Sequence, residues 1–264
     1  MSARSSSGMT SALFDLTGKV AIITGISRGI GYELAHGFAA VGAAVVGCAR
    51  TAGAAEKTAG EIRAKGGQAS GVSCDVTKPA DIEALVQQAV GRYEKLDVFV
   101  CNAAVNVRGP AIDFTSADFD TVIDGNLKSY FLCAQAAARQ FIKQGRGGAI
   151  VLNSSTASLR AFEALVPYCA AKGGVDMLVR GLAAEWGPHG IRVNAFNPGY
   201  TDHSMTEAGQ KHLAAAAPVL HARTPLRRYG KMSEMVGPAI FLASDAASFV
   251  TGVVLPVDGG WTAL

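Results

Sequence analysis

Tyr168 and Lys172 bracket the run Tyr168-Cys-Ala-Ala-Lys172, a spacing that sets a phenol and an ammonium on one face of a helix. A phenol of ordinary pKa, about 10, is a poor acid or base at neutral pH. An ammonium beside it favours the phenolate and lowers that value. Ser155 follows the apolar run Ala149-Ile150-Val151-Leu152, so its hydroxyl falls at a strand end, where the sites of open α/β sheets collect. Phenol, ammonium and hydroxyl together can hold and move a proton without a metal, a histidine or a cysteine. The adjoining Ser154 is expected to point to the opposite face of its strand and to serve structure. The same Tyr-to-Lys spacing occurs on ordinary surface helices, so its meaning rests on what surrounds it.

A second group of residues suits a phosphate. The run Thr24-Gly-Ile-Ser-Arg-Gly-Ile-Gly31 contains Gly25, Ser27, Arg28, Gly29, Ile30 and Gly31 in a GxxxGxG pattern, between an apolar strand and a helix. Glycines there permit a tight turn and close approach of a phosphate to the backbone, and the helix N-terminus beyond favours negative charge. An acid at the end of the next strand would bond the adenosine ribose and disfavour a 2′-phosphate. The sequence there is Ala49-Arg50-Thr51, with no carboxylate. Arg50, joined by Arg28 from the glycine turn, can pair with that phosphate, which favours NADP(H) over NAD(H) as cofactor.

These residues need a scaffold, and the pattern supplies one. Short apolar strands are predicted at 19–24, 44–48, 69–73, 98–101, 149–154, 192–197 and 253–257. They alternate with predicted helices at 30–41, through 65, 81–93, 116–144, 165–186 and 233–243. Strands without polar alternation are those covered by helices on both faces. The expected fold is therefore α/β: a single-domain, Rossmann-type, doubly wound parallel sheet of about seven strands with helices on both faces. Residues 1–12 read as a flexible tail and 13–264 as the domain. Residues 201–224 read as an irregular, moderately apolar lid over the substrate, without a clamp for a strongly charged ligand.

Composition narrows the function. With 49% hydrophobic and 17% charged residues the chain can bury a large core, and a net charge of +3 without basic runs argues against nucleic acid. No segment reaches the length of a membrane span. An odd count of five cysteines, with no CxxC pair, reads as reduced thiols of a cytoplasmic protein. His203, His212 and His221 are too far apart in sequence to read as a metal set, and no metal is expected.

Taken in order, the motifs resemble those of the classical short-chain dehydrogenase/reductase family, from about Leu16 to Ala263. The glycine turn is similar to the family's cofactor turn, and Cys74-Asp75-Val76 to the segment whose acid contacts adenine. Cys101-Asn102-Ala103-Ala104 resembles the NNAG motif, with Cys for the first Asn and Ala for the Gly. Asn197-Pro198-Gly199 resembles the turn beside the nicotinamide. The family threonine five places beyond that proline is His203 here, with Thr201 and Ser204 as nearby hydroxyls. Asn126, Ser155, Tyr168 and Lys172 match the catalytic positions. The resemblance implies hydride transfer between NADP(H) and a ketone or secondary alcohol. Tyr168 would act as general acid/base and Ser155 would orient the substrate oxygen. Lys172 would lower the Tyr168 pKa and bind the nicotinamide ribose, and Asn126 would hold a water that relays protons. Cofactor contacts are implied for Asp75, Val76, Asn102, Ala103, Ala104, Pro198, Gly199 and Thr201, besides the glycine turn, Arg50 and Thr51. A homotetramer or homodimer is implied as well. The leading expectation is a carbonyl reductase or alcohol dehydrogenase. The alternatives are a 3-oxoacyl-[acyl-carrier-protein] reductase and a sugar or polyol dehydrogenase, because Leu13-Phe-Asp-Leu-Thr-Gly-Lys19 resembles gluconate-type members. From another class stands a dinucleotide-sensing regulator, which would bind cofactor without turnover.

Overall fold

A computed structural model describes residues 12–202 and 207–264, without the side chains of 207–209 and 212. The predicted tail, apart from residue 12, and His203, Ser204 and Met205 lie outside the described residues. Seven strands form one sheet in the order β3-β2-β1-β4-β5-β6-β7: β1 Val20–Thr24, β2 Ala44–Ala49, β3 Gln68–Ser73, β4 Val98–Cys101, β5 Gly148–Asn153, β6 Ile191–Pro198 and β7 Val254–Val257. Every pairing is parallel. The chain winds outward from β1 through β2 to β3, then crosses back to β4 and runs the other way. This reversal opens a crevice beyond the carboxyl ends of β1 and β4, where ligands of open sheets bind.

Side chains leave a strand on alternate faces, and both faces here are covered. Ile22, Ile150 and Leu152 pack with α3 (Pro79–Tyr93), α5 (Ser129–Gln144) and α6 (Val166–Trp186) through Leu85, Phe141 and Val179. Their strand neighbours Ala21, Ile23, Ala149 and Val151 join the opposite core. That core takes Leu34 and Phe38 from α1 (Gly29–Ala40), Ile62 from α2 (Ala54–Ala64) and Ile240 from α8 (Val236–Ala243). The absence of polar alternation in the strands has this two-sided burial as its cause.

Two helices depart from the sequence reading. The long helix predicted over 116–144 is α4 (Ser116–Ile123) joined to α5 by one π-turn, Asp124–Lys128. Asn126 enters the helical ladder there, its Nδ2 donating to the Val122 carbonyl at 2.8 Å, while Ser129 Oγ donates to the Gly125 carbonyl at 3.0 Å. Side chains competing for ladder carbonyls are a recognised cause of such widened turns. The second departure corrects the lid: 207–223 is not irregular but forms α7, Glu207–Arg223, with Pro218 inside it. The alanine run 214–217 has the strongest helix propensity of any residue type, and Leu213 and Leu220 bury themselves on either side of it. Those two terms outweigh the proline.

No helix of the described residues is long and apolar enough to cross a membrane. Four cysteines are buried and Cys169 is half-buried, all with free thiols.

Candidate active site

The cofactor end is built from three strand ends latched together. Thr24 closes β1, and its Oγ1 accepts the Asn102 and Ala103 N–H groups at 2.8 and 2.9 Å. Asn102 returns the bond, its Nδ2 donating to the Thr24 carbonyl at 2.8 Å and the Gly25 carbonyl at 3.3 Å. Asn153, at the end of β5, donates to Asn102 Oδ1 at 2.8 Å. The turn between β1 and α1 is thus pinned from β4 and β5. Gly25 and Gly29 take φ of +75° and +66°, the left-handed region that suits glycine. A Cβ on Gly31 would stand 2.2 Å from the Gly25 carbonyl oxygen and 2.4 Å from Asn102 Nδ2. The first turn of α1 therefore sits against the loop with no side chain between, leaving its amides open to an anion. The Arg28 and Arg50 side chains are exposed beside it, and Asp75 Oδ1 accepts the Thr77 N–H and hydroxyl at 3.0 and 2.8 Å.

One cavity of about 690 Å³ runs from this turn across the strand ends. Its walls include every residue the sequence assigned to the cofactor, together with Ser155, Tyr168 and Lys172. The bare helix start and the open glycine cradle fit the phosphates of a nicotinamide dinucleotide, with Arg28 and Arg50 exposed at the rim.

At the far end, Ser155 leaves β5 in extended conformation and its Oγ accepts the Ala157 N–H at 3.1 Å. Tyr168 lies in the first turn of α6, near enough to the Ser155 hydroxyl for that group to favour its ionised form. Lys172, one turn on, is only 1% exposed, and its Nζ donates to the Asn153 carbonyl at 2.7 Å and the Tyr130 hydroxyl at 3.3 Å. Nζ stands 5.7 Å from the Tyr168 ring centre and 4.4 Å from that of Tyr130. Burial pushes the Tyr168 phenol up to about 12, with the Ser155 hydroxyl pulling the other way. Burial also pulls Lys172 down to about 7, against the Asp176 carboxylate, which holds it up. The lowered phenol expected from the spacing is therefore not the resting condition of this site. Lys172 is buried and Tyr168 half-buried, and each resists its charged form. Tyr168 accordingly carries its proton throughout the neutral range and stands ready to give it.

Asn126 is the one predicted residue that lies apart. Fully buried, it donates from Nδ2 to the Val105 and Val122 carbonyls, each at 2.8 Å, and accepts the Val105 N–H at 3.3 Å. Its amide holds the loop after β4, which walls the cavity, and is directed at Val105 rather than at Lys172. Ser154 behaves as expected of a structural residue: it is buried and its Oγ donates to Asp176 Oδ1 at 2.6 Å.

Sequence reasoning passed over three buried polar residues around this centre, Tyr130, Asn153 and Asp176, and read Asn197 only as the start of its turn. Asn is depleted in strands, so Asn153 and Asn197 inside apolar runs carried a signal. Asp176, one helical turn beyond Lys172, carried another. Nothing in the sequence marks Tyr130.

The substrate side of the cavity has a polar and an aromatic wall. Asn106, Arg108 and Tyr200 line it with Leu213 of α7. Burial raises the Tyr200 phenol, and the cation of Arg108 opposes that rise. Tyr200 packs edge-on against Phe162 at 5.7 Å and Trp261 at 5.8 Å, and those two rings stack at 5.2 Å. Three loops are thereby fixed around one aromatic post. Arg108, from the loop after β4, adds a cation to this wall.

A family profile described as "Enoyl-(Acyl carrier protein) reductase" matches residues 25–262. The chain is 37% identical over 255 residues to a 2-dehydro-3-deoxy-D-gluconate 5-dehydrogenase of Escherichia coli (strain K12), covering 97% of this chain and 100% of that protein. It is 39% identical over 257 residues to a gluconate 5-dehydrogenase of Gluconobacter oxydans (strain 621H), covering 95% and 97%. Among solved structures, a gluconate 5-dehydrogenase from Burkholderia cenocepacia J2315 in complex with NADP and tartrate superimposes with a TM-score of 0.92 at 38% identity, over 97% of this chain and 99% of that one.

Proposed function

The chain belongs to the classical short-chain dehydrogenase/reductase family and is an NAD(P)-dependent oxidoreductase acting on CH–OH groups, and we propose that it exchanges a hydride between NADP(H) and a secondary alcohol or ketone of a gluconate-type sugar acid. The observation that carries this reading is the single cavity joining the glycine turn, the Ser155–Tyr168 pair and Arg108. The nicotinamide supplies or accepts the hydride. As negative charge builds on the substrate oxygen, Tyr168 gives it a proton and Ser155 donates a hydrogen bond to it. In the reverse direction the Tyr168 phenolate takes that proton back. Lys172 stabilises the phenolate from inside the helix face. Arg108 meets the carboxylate of the sugar acid, and Tyr200 presents a rigid face to its carbon chain.

The general carbonyl reductase of the sequence reading gives way here to its gluconate-like alternative. The relatives at 37% and 39% identity span nearly the whole chain and bear sugar-acid names. A carrier-protein substrate calls for a basic docking patch, and the cations near α7 are Arg223, Arg227 and Arg228. Arg228 is held by Glu234 through two bonds of 2.7 Å, and the Arg227 guanidinium donates to the Ala222 carbonyl. A regulator without turnover has no need of Ser155, Tyr168 and Lys172 gathered beside the cofactor cleft.

Arg108→Ala separates a sugar acid from a neutral polyol. KM for 5-ketogluconate is expected to rise about ten-fold or more, the effect of losing one charge-assisted hydrogen bond, while kcat/KM for a neutral keto-polyol changes less than about two-fold. Equal losses on both substrates would remove Arg108 as the carboxylate's partner. For the cofactor, Arg50→Asp is expected to cut the NADPH-to-NADH ratio of kcat/KM by about ten-fold or more, because it sets a carboxylate against the 2′-phosphate. An unchanged ratio would assign the preference elsewhere.

A further inference from the structure

We propose that Tyr130 is a positioning residue for proton transfer: its hydroxyl and ring face, with the Asn153 carbonyl, hold Lys172 Nζ at one place near Tyr168. The proposal rests on the reading of Tyr168 and Lys172 as the proton-transfer pair.

Tyr130 lies in the first turn of α5, just past the π-turn that carries Asn126. The two side chains part there. Asn126 Nδ2 donates to the Val105 and Val122 carbonyls, whereas Tyr130 is 2% exposed and reaches the end of β5. Its hydroxyl donates to the Asn153 carbonyl at 3.0 Å. Lys172 Nζ donates to the same carbonyl at 2.7 Å and to Tyr130 Oη at 3.3 Å, which closes a triangle. Nζ also stands 4.4 Å from the centre of the Tyr130 ring, within cation–π reach, and 5.7 Å from that of Tyr168.

The triangle has a direction. A phenol carries a single proton, and here the Asn153 carbonyl takes it. Tyr130 Oη therefore meets Lys172 with a lone pair, as an acceptor. Lysine holds its nitrogen on a flexible four-carbon stem, so a single acceptor would leave Nζ free to swing about it. A second acceptor and a ring face leave it one place. The Asn153 carbonyl is itself well anchored, because the Asn153 side chain donates to Asn102 Oδ1 at 2.8 Å and Asn102 is tied to the glycine turn. Lys172 is thereby set in register with the cofactor end of the cavity.

A hydroxyl inside a core is costly without partners, and phenylalanine would fill the same space without that cost. Among the described residues, the Tyr130 hydroxyl bonds Asn153 and Lys172 alone. The Asn153 carbonyl already has Lys172 as a donor, so it does not require the phenol. What the oxygen adds is the second hold on Nζ. A displacement of about 1 Å in such a group can cost about a hundred-fold in rate, and losing one of two holds should cost about a tenth of that.

The test is a double-mutant cycle of Tyr130→Phe and Lys172→Met. It is read as the rate of ketone reduction per NADPH-binding site, with sites counted by fluorescence titration, on 5-ketogluconate or another ketone that wild type reduces. With Lys172 in place, Tyr130→Phe is expected to lower kcat per site about ten-fold and to keep NADPH affinity within about three-fold of wild type. In Lys172→Met, followed as single turnovers with enzyme in excess, the same substitution should change the rate less than about two-fold, because a residue acting through Lys172 has nothing left to place. Counting sites removes any loss through misfolding. Should Tyr130→Phe fail to fold, Tyr130→Met, which also lacks the hydroxyl, replaces it with the same expectation. Equal ten-fold losses in both backgrounds, or a rate per site in Tyr130→Phe within about two-fold of wild type, overturn the proposal. Wild-type turnover in Lys172→Met overturns instead the reading beneath it, which keeps the two failures distinct.

Discussion

Tyr168→Phe is expected to lower kcat by about two to four orders of magnitude, the usual contribution of a positioned acid or base, while NADPH affinity stays within about three-fold of wild type. The substitution removes one oxygen and leaves the ring, so the packing of α6 against β5 and β6 is kept. The lost atom belongs to a side chain that lines the cavity together with Ser155, beside the cofactor cleft. A resting phenol pushed up to about 12 is a proton store, and phenylalanine has nothing to give. Fluorescence titration with NADPH measures binding, and reduced-nicotinamide absorbance measures turnover. Loss of both together would indicate a collapsed site rather than a missing proton donor.

The second large effect lies at the other end of the cavity. Gly31→Ala should weaken NADPH binding by about a hundred-fold or more and lower stability by about 1–3 kcal/mol, as overpacking does. The reason is steric. The new methyl would stand 2.2 Å from the Gly25 carbonyl oxygen and 2.4 Å from Asn102 Nδ2. Neither can retreat cheaply. The first is backbone of the phosphate turn, and the second is tied to the Thr24 carbonyl at 2.8 Å. Relief would push the α1 N-terminus away from the loop and spoil the anion cradle. Gly91→Ala is the matched control. It lies exposed on α3 with nothing within 4 Å of the added atom, so it should leave binding unchanged and stabilise by about 0.5–1 kcal/mol. Equal effects of the two substitutions in thermal melts and NADPH titrations would contradict the steric account.

Much of this was legible along the chain because it depends on neighbours in sequence. Strand and helix alternation follows from local apolar runs, and the sheet of β1 to β7 follows from it. The glycine turn and the Tyr168–Lys172 pair are single local segments, so their spacing carried their geometry. What escaped depends on crossings. Asp176 and Tyr130 come from α6 and α5, and the bonds of the first to Ser154 and Asn197 and of the second to Asn153 and Lys172 form only where those elements pack on the strand ends. Arg108 was hidden in a loop, and its place on the cavity wall with Tyr200 shows only in the fold. The segment 207–223, read as irregular, misled for another reason: burial of Leu213 and Leu220 with the alanines between them carries the helix through Pro218. Asn126 was legible as an oddity, an asparagine inside a helix, but its target at Val105 became visible only with the π-turn in place.

The central claim is hydride exchange between NADP(H) and a gluconate-type sugar acid in the cavity that holds Tyr168. The most direct measurement supplies 5-ketogluconate and NADPH deuterated at its transferable position, then examines the product by mass spectrometry for wild type and Tyr168→Phe. The expected result is an alcohol bearing one deuterium at the former carbonyl carbon, formed faster from NADPH than from NADH by wild type and nearly absent with the variant. Tight NADPH binding without label transfer to 5-ketogluconate or to related keto acids, or equal transfer by wild type and variant, would contradict the account.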